Sequence, residues 1–159
     1  MKAIPKRTLL VTCIIILLPM FFGLALWNRL PERMPTHFDF SGTVDDYSGR
    51  PFAVIGLPLF ILAMQLFCAV MLRADPKKQN ISEKMAQLVL WIGPAVSLFA
   101  GLSIYLSALG FAINVSRLGM VFVGLIFIVI GNYLPKCRHN YTVGIRLPWT
   151  LDNEDNWNH

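Results

Sequence analysis

Residues 8–27 read TLLVTCIIILLPMFFGLALW, twenty residues without a single charged side chain. An α-helix rises about 1.5 Å per residue, so this run covers about 30 Å, which is the thickness of the hydrocarbon core of a bilayer. Lys6 and Arg7 precede the run, and Trp27 ends it where interfacial aromatic residues are common. The stretch therefore predicts a first transmembrane helix.

Three further apolar runs follow, at residues 52–72, 87–109 and 118–134. Hydrophobic residues make up 55% of the chain and charged residues only 14%, whereas a soluble domain carries about 25% charged residues. We therefore predict an all-α membrane protein with four transmembrane helices, which form one membrane domain over residues 1–159. The spans contain no Asp, Glu, Lys, Arg or His, and this argues against an ion-coupled transporter.

The Lys and Arg residues are distributed unevenly among the loops. Ten lie in the N-terminus, the second loop and the tail at residues 135–159, and four lie in the first and third loops. Because basic residues remain in the cytoplasm, the count predicts a cytoplasmic N-terminus and tail, and an outer loop at residues 28–51. The net charge of +5 is thus a topology signal, and we expect no binding to nucleic acid.

The outer loop is the one long polar interruption between apolar runs. Residues 36–40, THFDF, alternate polar and aromatic side chains, and Ser41 and Gly42 suit a tight turn. With residues 43–47 as a returning strand, the loop forms a small β-hairpin. A two-residue turn places Phe40 opposite Thr43 and His37 opposite Asp46, with Phe38 and Phe40 on a face that presses on the helix ends or on lipid headgroups.

Ligand recognition is one hypothesis for this loop. Aromatic and acidic side chains on a hairpin suit a cationic or amphipathic peptide. A structural network is the alternative, in which His37 bonds to Asp39 or Asp46 with Arg50 nearby. A metal site is a third hypothesis, although no known metal-ligand spacing is present, and we expect neither a metal nor a cofactor nor a catalytic residue. The candidate ligand-binding residues are His37, Phe38, Asp39, Gly42, Asp45, Asp46 and Tyr47.

The third span carries small residues at intervals of four, namely Gly93, Ser97 and Gly101. Such a stripe lets two helices approach closely. It either packs within the bundle or serves as a face for self-association into a homo-oligomer.

Two long motifs resemble those of the SdpI family of bacterial membrane proteins. Residues 30–50 read LPERMPTHFDFSGTVDDYSGR, and residues 131–157 read GNYLPKCRHNYTVGIRLPWTLDNEDNW. The resemblance covers essentially the whole chain. In the first motif it carries over Pro35, His37, Phe38, Gly42, Asp45 and Tyr47. In the second, cytoplasmic motif it carries over Asn132, Tyr133, Pro135, Arg138, Asn140, Tyr141, Gly144, Arg146, Pro148 and Trp149.

The resemblance implies a multi-pass protein of the bacterial cell membrane that is not an enzyme. The family's named member protects a cell against a secreted peptide toxin, and it holds a cytoplasmic repressor at the membrane when the toxin is bound. We therefore expect an immunity and signal-sensing protein whose partners are the lipid bilayer, a secreted peptide toxin and a cytoplasmic repressor. The second hypothesis is a component of a small-solute transporter or pore, and the third is a metal-dependent membrane enzyme. Typical members continue through two further spans after the tryptophan motif, so the chain resembles their N-terminal part.

Overall fold

The protein is described by a computed structural model over residues 6–144. Each of its four long helices is long and apolar enough to cross a membrane. The predicted four-helix membrane protein is therefore confirmed. The helices are α1 (Lys6–Ala25), α2 (Leu57–Ala74), α3 (Glu83–Ala108) and α4 (Val115–Tyr133). A π-helical turn at Phe52–Gly56 leads into α2, and 3-10 turns lie at Trp27–Arg29, Lys78–Asn80 and Leu134–Lys136.

Helix α3 begins four residues before the predicted span. Ser82 has an extended backbone and its Oγ accepts a hydrogen bond from the backbone N–H of Met85, so it caps the helix. Hydropathy locates where the apolar part of a helix begins, whereas the cap locates where the helix itself begins. Helix α4 starts in the same way at Asn114, whose Oδ1 accepts a hydrogen bond from the N–H of Arg117 at 2.9 Å.

A small antiparallel hairpin lies between α1 and α2, as predicted. Its strands are β1 (Arg33–Phe38) and β2 (Val44–Gly49), and His37 is opposite Asp46. The turn is longer than the predicted two residues, because Phe38 already pairs with Val44. Phe40 therefore lies in the connection at residues 39–43, and the prediction that it faces Thr43 across the ladder is wrong.

The ladder contains two irregularities that compensate each other. Thr36 is an extra residue on β1, and Asp45 is an extra residue on β2. Bulges of this kind redirect the side chains that follow them, so simple alternation does not give the facing of the residues beyond Pro35.

The small-residue stripe of α3 lies against α1. Ser97 Oγ donates a hydrogen bond to the carbonyl of Ile16 at 2.8 Å. A Cβ added at Gly101 would come within 2.6 Å of the Cβ of Pro19, and Ser97 itself is 2% exposed. The stripe therefore packs within one chain, and leaves no room at Ser97 and Gly101 for a second copy.

A polar network joins α1, α2 and α3 inside the bundle. Gln65 is buried, and its Nε2 donates to Thr12 Oγ1 at 3.0 Å and to the carbonyl of Leu90 at 2.8 Å. A Cβ at Gly93 would lie 2.5 Å from Gln65 Oε1, so the glycine makes room for the amide. An unpaired amide would be costly in lipid, and the network satisfies its donors within the protein.

Helix α4 packs much less closely than the others. Of its residues only Val115 is buried, and the stacked rings of Phe99 and Phe122, 4.4 Å apart, bridge α3 to α4. The hairpin and the start of α4 share one end of the bundle, which we call the hairpin end. The start of α1, the loop between α2 and α3 and the residues after α4 share the other, which we call the basic end.

Candidate functional site

The base of the hairpin is held firmly on the helix ends. Arg50 Nη1 donates to the carbonyls of Trp27 and Leu30, both at 2.9 Å, and its guanidinium lies 4.6 Å from the centre of the Trp27 ring. Met34 on β1 is fully buried. An isolated two-stranded hairpin is marginally stable, so these contacts supply the packing that it needs.

The tip of the hairpin is held by the start of α4. Ser116 Oγ donates to the carbonyl of Asp39, and Asn114 Nδ2 donates to the carbonyl of Ser41 at 3.1 Å. Gly42 has a φ of 91°, and a Cβ there would lie 2.6 Å from Asn114 Oδ1. Neither Asn114 nor Ser116 was predicted as a site residue, although an Asn just before the fourth apolar run is a recognisable helix cap.

Asp39 closes the turn of the hairpin. Its Oδ1 accepts hydrogen bonds from Ser41 Oγ at 2.7 Å and from the N–H of Thr43 at 2.8 Å. These bonds favour the ionised carboxylate and lower the pKa of Asp39, with the Ser41 hydroxyl as the larger cause.

His37 pairs with Asp45, and not with the expected Asp39 or Asp46. Its Nδ1 lies 2.6 Å from Asp45 Oδ1, and the two side chains are 70% and 46% exposed. The bulge explains the difference, because Asp45 is the extra residue between the partners of His37 and Phe38. The hydrogen bond and the charge of Asp45 raise the pKa of His37.

The hairpin presents aromatic and acidic side chains to its surroundings. Phe40 is 97% exposed and Tyr47 is 46% exposed, whereas Phe38 is half-buried. Phe40 therefore does not press on the helix ends, and its contact with lipid headgroups stays a prediction. Asp46 is also exposed, and its carboxylate accepts the N–H of Tyr47 at 2.7 Å. Within residues 6–144 no group of three or more His, Cys, Asp or Glu side chains is arranged to hold a metal ion.

At the basic end, Asn140 of the second motif folds the segment after α4. It is 1% exposed, and its Oδ1 accepts the N–H groups of Thr142 and Val143 at 2.9 and 2.7 Å. Its Nδ2 donates to the carbonyls of Arg138 and Val143, both at 2.8 Å. All four bonds are local, so Asn140 determines the shape of residues 138–143.

Asp75 fastens that segment to the loop after α2. The carboxylate is 4% exposed, and its Oδ2 accepts the N–H of Tyr141 at 2.9 Å and Thr142 Oγ1 at 2.6 Å. His139 completes the attachment, since its Nδ1 lies 2.9 Å from Lys77 Nζ and its carbonyl accepts Asn80 Nδ2 at 2.7 Å. Neither Asp75 nor His139 was predicted, because each finds its partners about 60 residues away.

The other residues of the second motif differ in exposure. Tyr133 is half-buried under Lys136, whose Nζ is 5.2 Å from the ring centre, and Gly144 is also half-buried. Arg146, Pro148 and Trp149 lie outside the described residues. The exposed members are Asn132, Pro135, Arg138 and Tyr141.

Comparison with known proteins gives matches at both ends of the chain. Residues 14–62 match a family described as a domain of unknown function, DUF1648, and residues 136–159 match the SdpI/YfhL protein family. Immunity protein SdpI from Bacillus subtilis (strain 168) is 24% identical, over 93% of this chain and 70% of the relative. No solved structure matches the chain significantly. With the four apolar helices, these matches support an SdpI-family membrane protein, which is the family that the two sequence motifs indicated.

Proposed function

We propose that this chain is an immunity protein that binds a secreted peptide at its hairpin, outside the cell. Similarity to Immunity protein SdpI supports an immunity-type membrane protein, and a name of that kind favours a protein that is not an enzyme. The observation that carries the binding proposal is the hairpin itself. It is attached at its base through Arg50 and at its tip through Asn114, yet Phe40 and Tyr47 remain exposed.

The chemistry of the exposed residues defines the class of ligand. Phe40 and Tyr47 offer apolar rings, and Asp45 and Asp46 offer exposed carboxylates. A peptide with both hydrophobic and basic residues matches this combination by ring contact and charge. Because the hairpin is fixed at both ends, binding such a peptide orders little additional backbone.

The distribution of charge supports an outward-facing hairpin. Among the described residues the hairpin end carries four basic side chains, Arg29, Arg33, Arg50 and Arg117. The basic end carries eight, namely Lys6, Arg7, Arg73, Lys77, Lys78, Lys84, Lys136 and Arg138. This bias supports a cytoplasmic location for the basic end, and with it for the N-terminus. Arg138 and Tyr141 are exposed at that end, and we propose that a cytoplasmic regulator contacts this surface.

The orientation is tested by labelling intact cells with a membrane-impermeant maleimide. Phe40→Cys places a thiol at the 97% exposed tip, and the native Cys137 lies at the basic end. We expect the reagent to label Phe40→Cys in intact cells and not to label Cys137 until the membrane is permeabilised. Labelling of Cys137 alone in intact cells would reverse the proposed topology.

The binding function is tested by survival of a toxin-sensitive strain that expresses the chain. The strain is exposed to the secreted peptide toxin against which the family's immunity protein protects. We expect wild type to raise survival, Phe40→Ala with Tyr47→Ala to lose most of the protection, and Phe111→Ala to keep it. Phe111 is a suitable control because it is 59% exposed at the same end but lies outside the hairpin.

Each variant is compared at equal abundance in the membrane fraction. No protection by wild type overturns the immunity proposal for this toxin class. Full protection by the double variant leaves immunity in place but removes the hairpin as the binding surface.

A further inference from the structure

We propose a second binding site, at the end of the bundle opposite the hairpin, which takes the phosphate group of an anionic membrane lipid. The site is a cavity of about 300 Å³ between the loop that precedes α3 and the residues that follow α4. It is lined by Gln79, Asn80, Ser82, Lys136 and Arg138. The site requires neither an immunity function nor a particular orientation of the chain in the membrane.

The lining has the composition of an anion site. Lys136 and Arg138 supply two positive charges, and the side chains of Gln79, Asn80 and Ser82 are polar and neutral. Hydrogen bonds from cationic donors to phosphate oxygens are among the stronger ones in proteins, and a guanidinium can bind two oxygens at once.

Within residues 6–144, the two acids that flank the loop before α3 do not neutralise these cations. Glu83 follows the cavity residue Ser82, but its Oε1 accepts Gln87 Nε2 at 3.4 Å, one turn further along α3. Asp75 is 4% exposed, and both of its oxygens already accept hydrogen bonds from residues 77, 141 and 142. Among residues 6–144, neither carboxylate lines the cavity, so no acid of this part of the chain neutralises its two cations.

The cavity wall is held in place by contacts within the protein. Asn80 Nδ2 donates to the carbonyl of His139, which joins the two sides of the cavity. Asn140 Nδ2 donates to the carbonyl of Arg138, and the turn Leu134–Lys136 fixes the backbone of Lys136. Ser82 is also the N-cap of α3, and the positive end of the helix dipole favours an anion at this point.

The depth of the cavity points to a lipid. The buried apolar part of α3 starts at Met85, and the apolar run of α4 ends with Leu134 in the turn that follows the helix, so the cavity lies just beyond the hydrocarbon on both helices. That is the level of the headgroup phosphates. Lys136 also lies over the Tyr133 ring, and aromatic residues are common at this interface.

The test is native mass spectrometry of the full chain in detergent, titrated with phosphatidylglycerol. Lys136→Gln with Arg138→Gln removes the two cavity cations. Lys78→Gln with Lys84→Gln removes two exposed cations from the same end and outside the cavity. We expect the cavity pair to weaken phosphatidylglycerol binding by about tenfold or more, and the control pair to change it by less than about twofold.

Two further measurements distinguish a lipid site from misfolding of the double variant and from a site for free phosphate. Gln79→Glu adds a negative charge to the cavity while both cations stay, and we expect it to weaken phosphatidylglycerol binding even if the double variant fails to fold. Glycerol phosphate supplies the same phosphate without acyl chains, and we expect it to bind far more weakly than the lipid. Equal losses in the two double variants, no loss with Gln79→Glu, or glycerol phosphate binding as tight as the lipid would each overturn the proposal.

Discussion

Gly42 shows how one residue determines the shape of the hairpin tip. Its φ of 91° lies in the left-handed region, which side chains other than glycine rarely adopt. The same residue is packed against Asn114, the cap of α4, whose Oδ1 would be 2.6 Å from an added Cβ. Backbone conformation and tertiary contact therefore require glycine independently at this position.

Gly42→Ala should release the hairpin tip from α4. Gly110→Ala is the control that distinguishes the effect of backbone strain from the effect of the contact with Asn114. Gly110 also has a positive φ, of 85°, but an added Cβ there would have nothing within 4 Å. We expect both variants to lose about 1 kcal/mol from backbone strain, and Gly42→Ala alone to detach the tip from α4. The rate of hydrogen exchange at the backbone amides of residues 39–43 should increase much more in Gly42→Ala than in Gly110→Ala. Equal increases in the two variants would show that the contact with Asn114 does not stabilise the tip.

His37 and Asp45 give the hairpin a pH-dependent contact. The pKa of His37 is raised by the hydrogen bond and charge of Asp45 above its usual value of about 6.5. The stabilisation by this pair is therefore complete below about pH 6.5, and it is lost as the pH rises through the raised pKa of the folded state.

Asp45→Asn should lower the pKa of His37 measured by NMR titration of its ring protons. The variant keeps a hydrogen-bonding oxygen at position 45 but removes the charge. Asp46→Asn is the control, because Asp46 contributes only a minor coulombic effect to the same histidine. A larger shift in Asp46→Asn than in Asp45→Asn would contradict the observed pairing.

Between elements, α1 and α3 make the closest contact in the bundle. Gly101 faces Pro19, Ser97 Oγ bonds to the carbonyl of Ile16, and Tyr105 Oη donates to the carbonyl of Pro19 at 2.8 Å. In lipid, close packing of small residues and hydrogen bonds between helices replace the hydrophobic effect as the source of association. This interface therefore contributes a large share of the bundle's stability.

Gly101→Ala should destabilise the bundle by about 1–3 kcal/mol, because its Cβ would overlap Pro19. Gly124→Ala in α4 is the matched control, since an added Cβ there has nothing within 4 Å and alanine favours a helix. Unfolding of the purified proteins in mixed detergent micelles measures the free energy of unfolding of each variant relative to wild type. A Gly124→Ala variant that loses as much stability as Gly101→Ala would show that glycine flexibility matters more than packing.

In the whole molecule, the segment after α4 is joined to the loop after α2. Asp75 and Asn80 both bind residues 139–142, although α3 and α4 lie between them in the chain. The basic end is thus one connected structure, and a change in either segment affects the surface that carries Arg138 and Tyr141.

Asp75→Asn should loosen this connection, because the carboxylate accepts three hydrogen bonds and an amide oxygen is a weaker acceptor. The probe is maleimide labelling of Cys137, whose burial raises the pKa of its thiol and so slows the reaction in wild type. We expect labelling several times faster in Asp75→Asn and unchanged in Glu83→Gln, which removes an acid from the same end. Unchanged labelling in both would mean that Asp75 does not hold the segment.

The sequence by itself determined the four helices and the hairpin between the first two. These follow from apolar run length and local alternation, both of which are properties of neighbouring residues. Only the tertiary structure decided that Asp45 binds His37, that Asn114 and Ser116 hold the tip, and that Asp75 and Asn80 hold residues 139–142. A bulge redirects side chains without any clear sign in the residue pattern, and contacts between distant segments depend on how the helices pack. The stripe at Gly93, Ser97 and Gly101 illustrates the division. Its spacing predicted close approach, and the fold supplied α1 as the partner of Ser97 and Gly101 and Gln65 of α2 as the neighbour of Gly93.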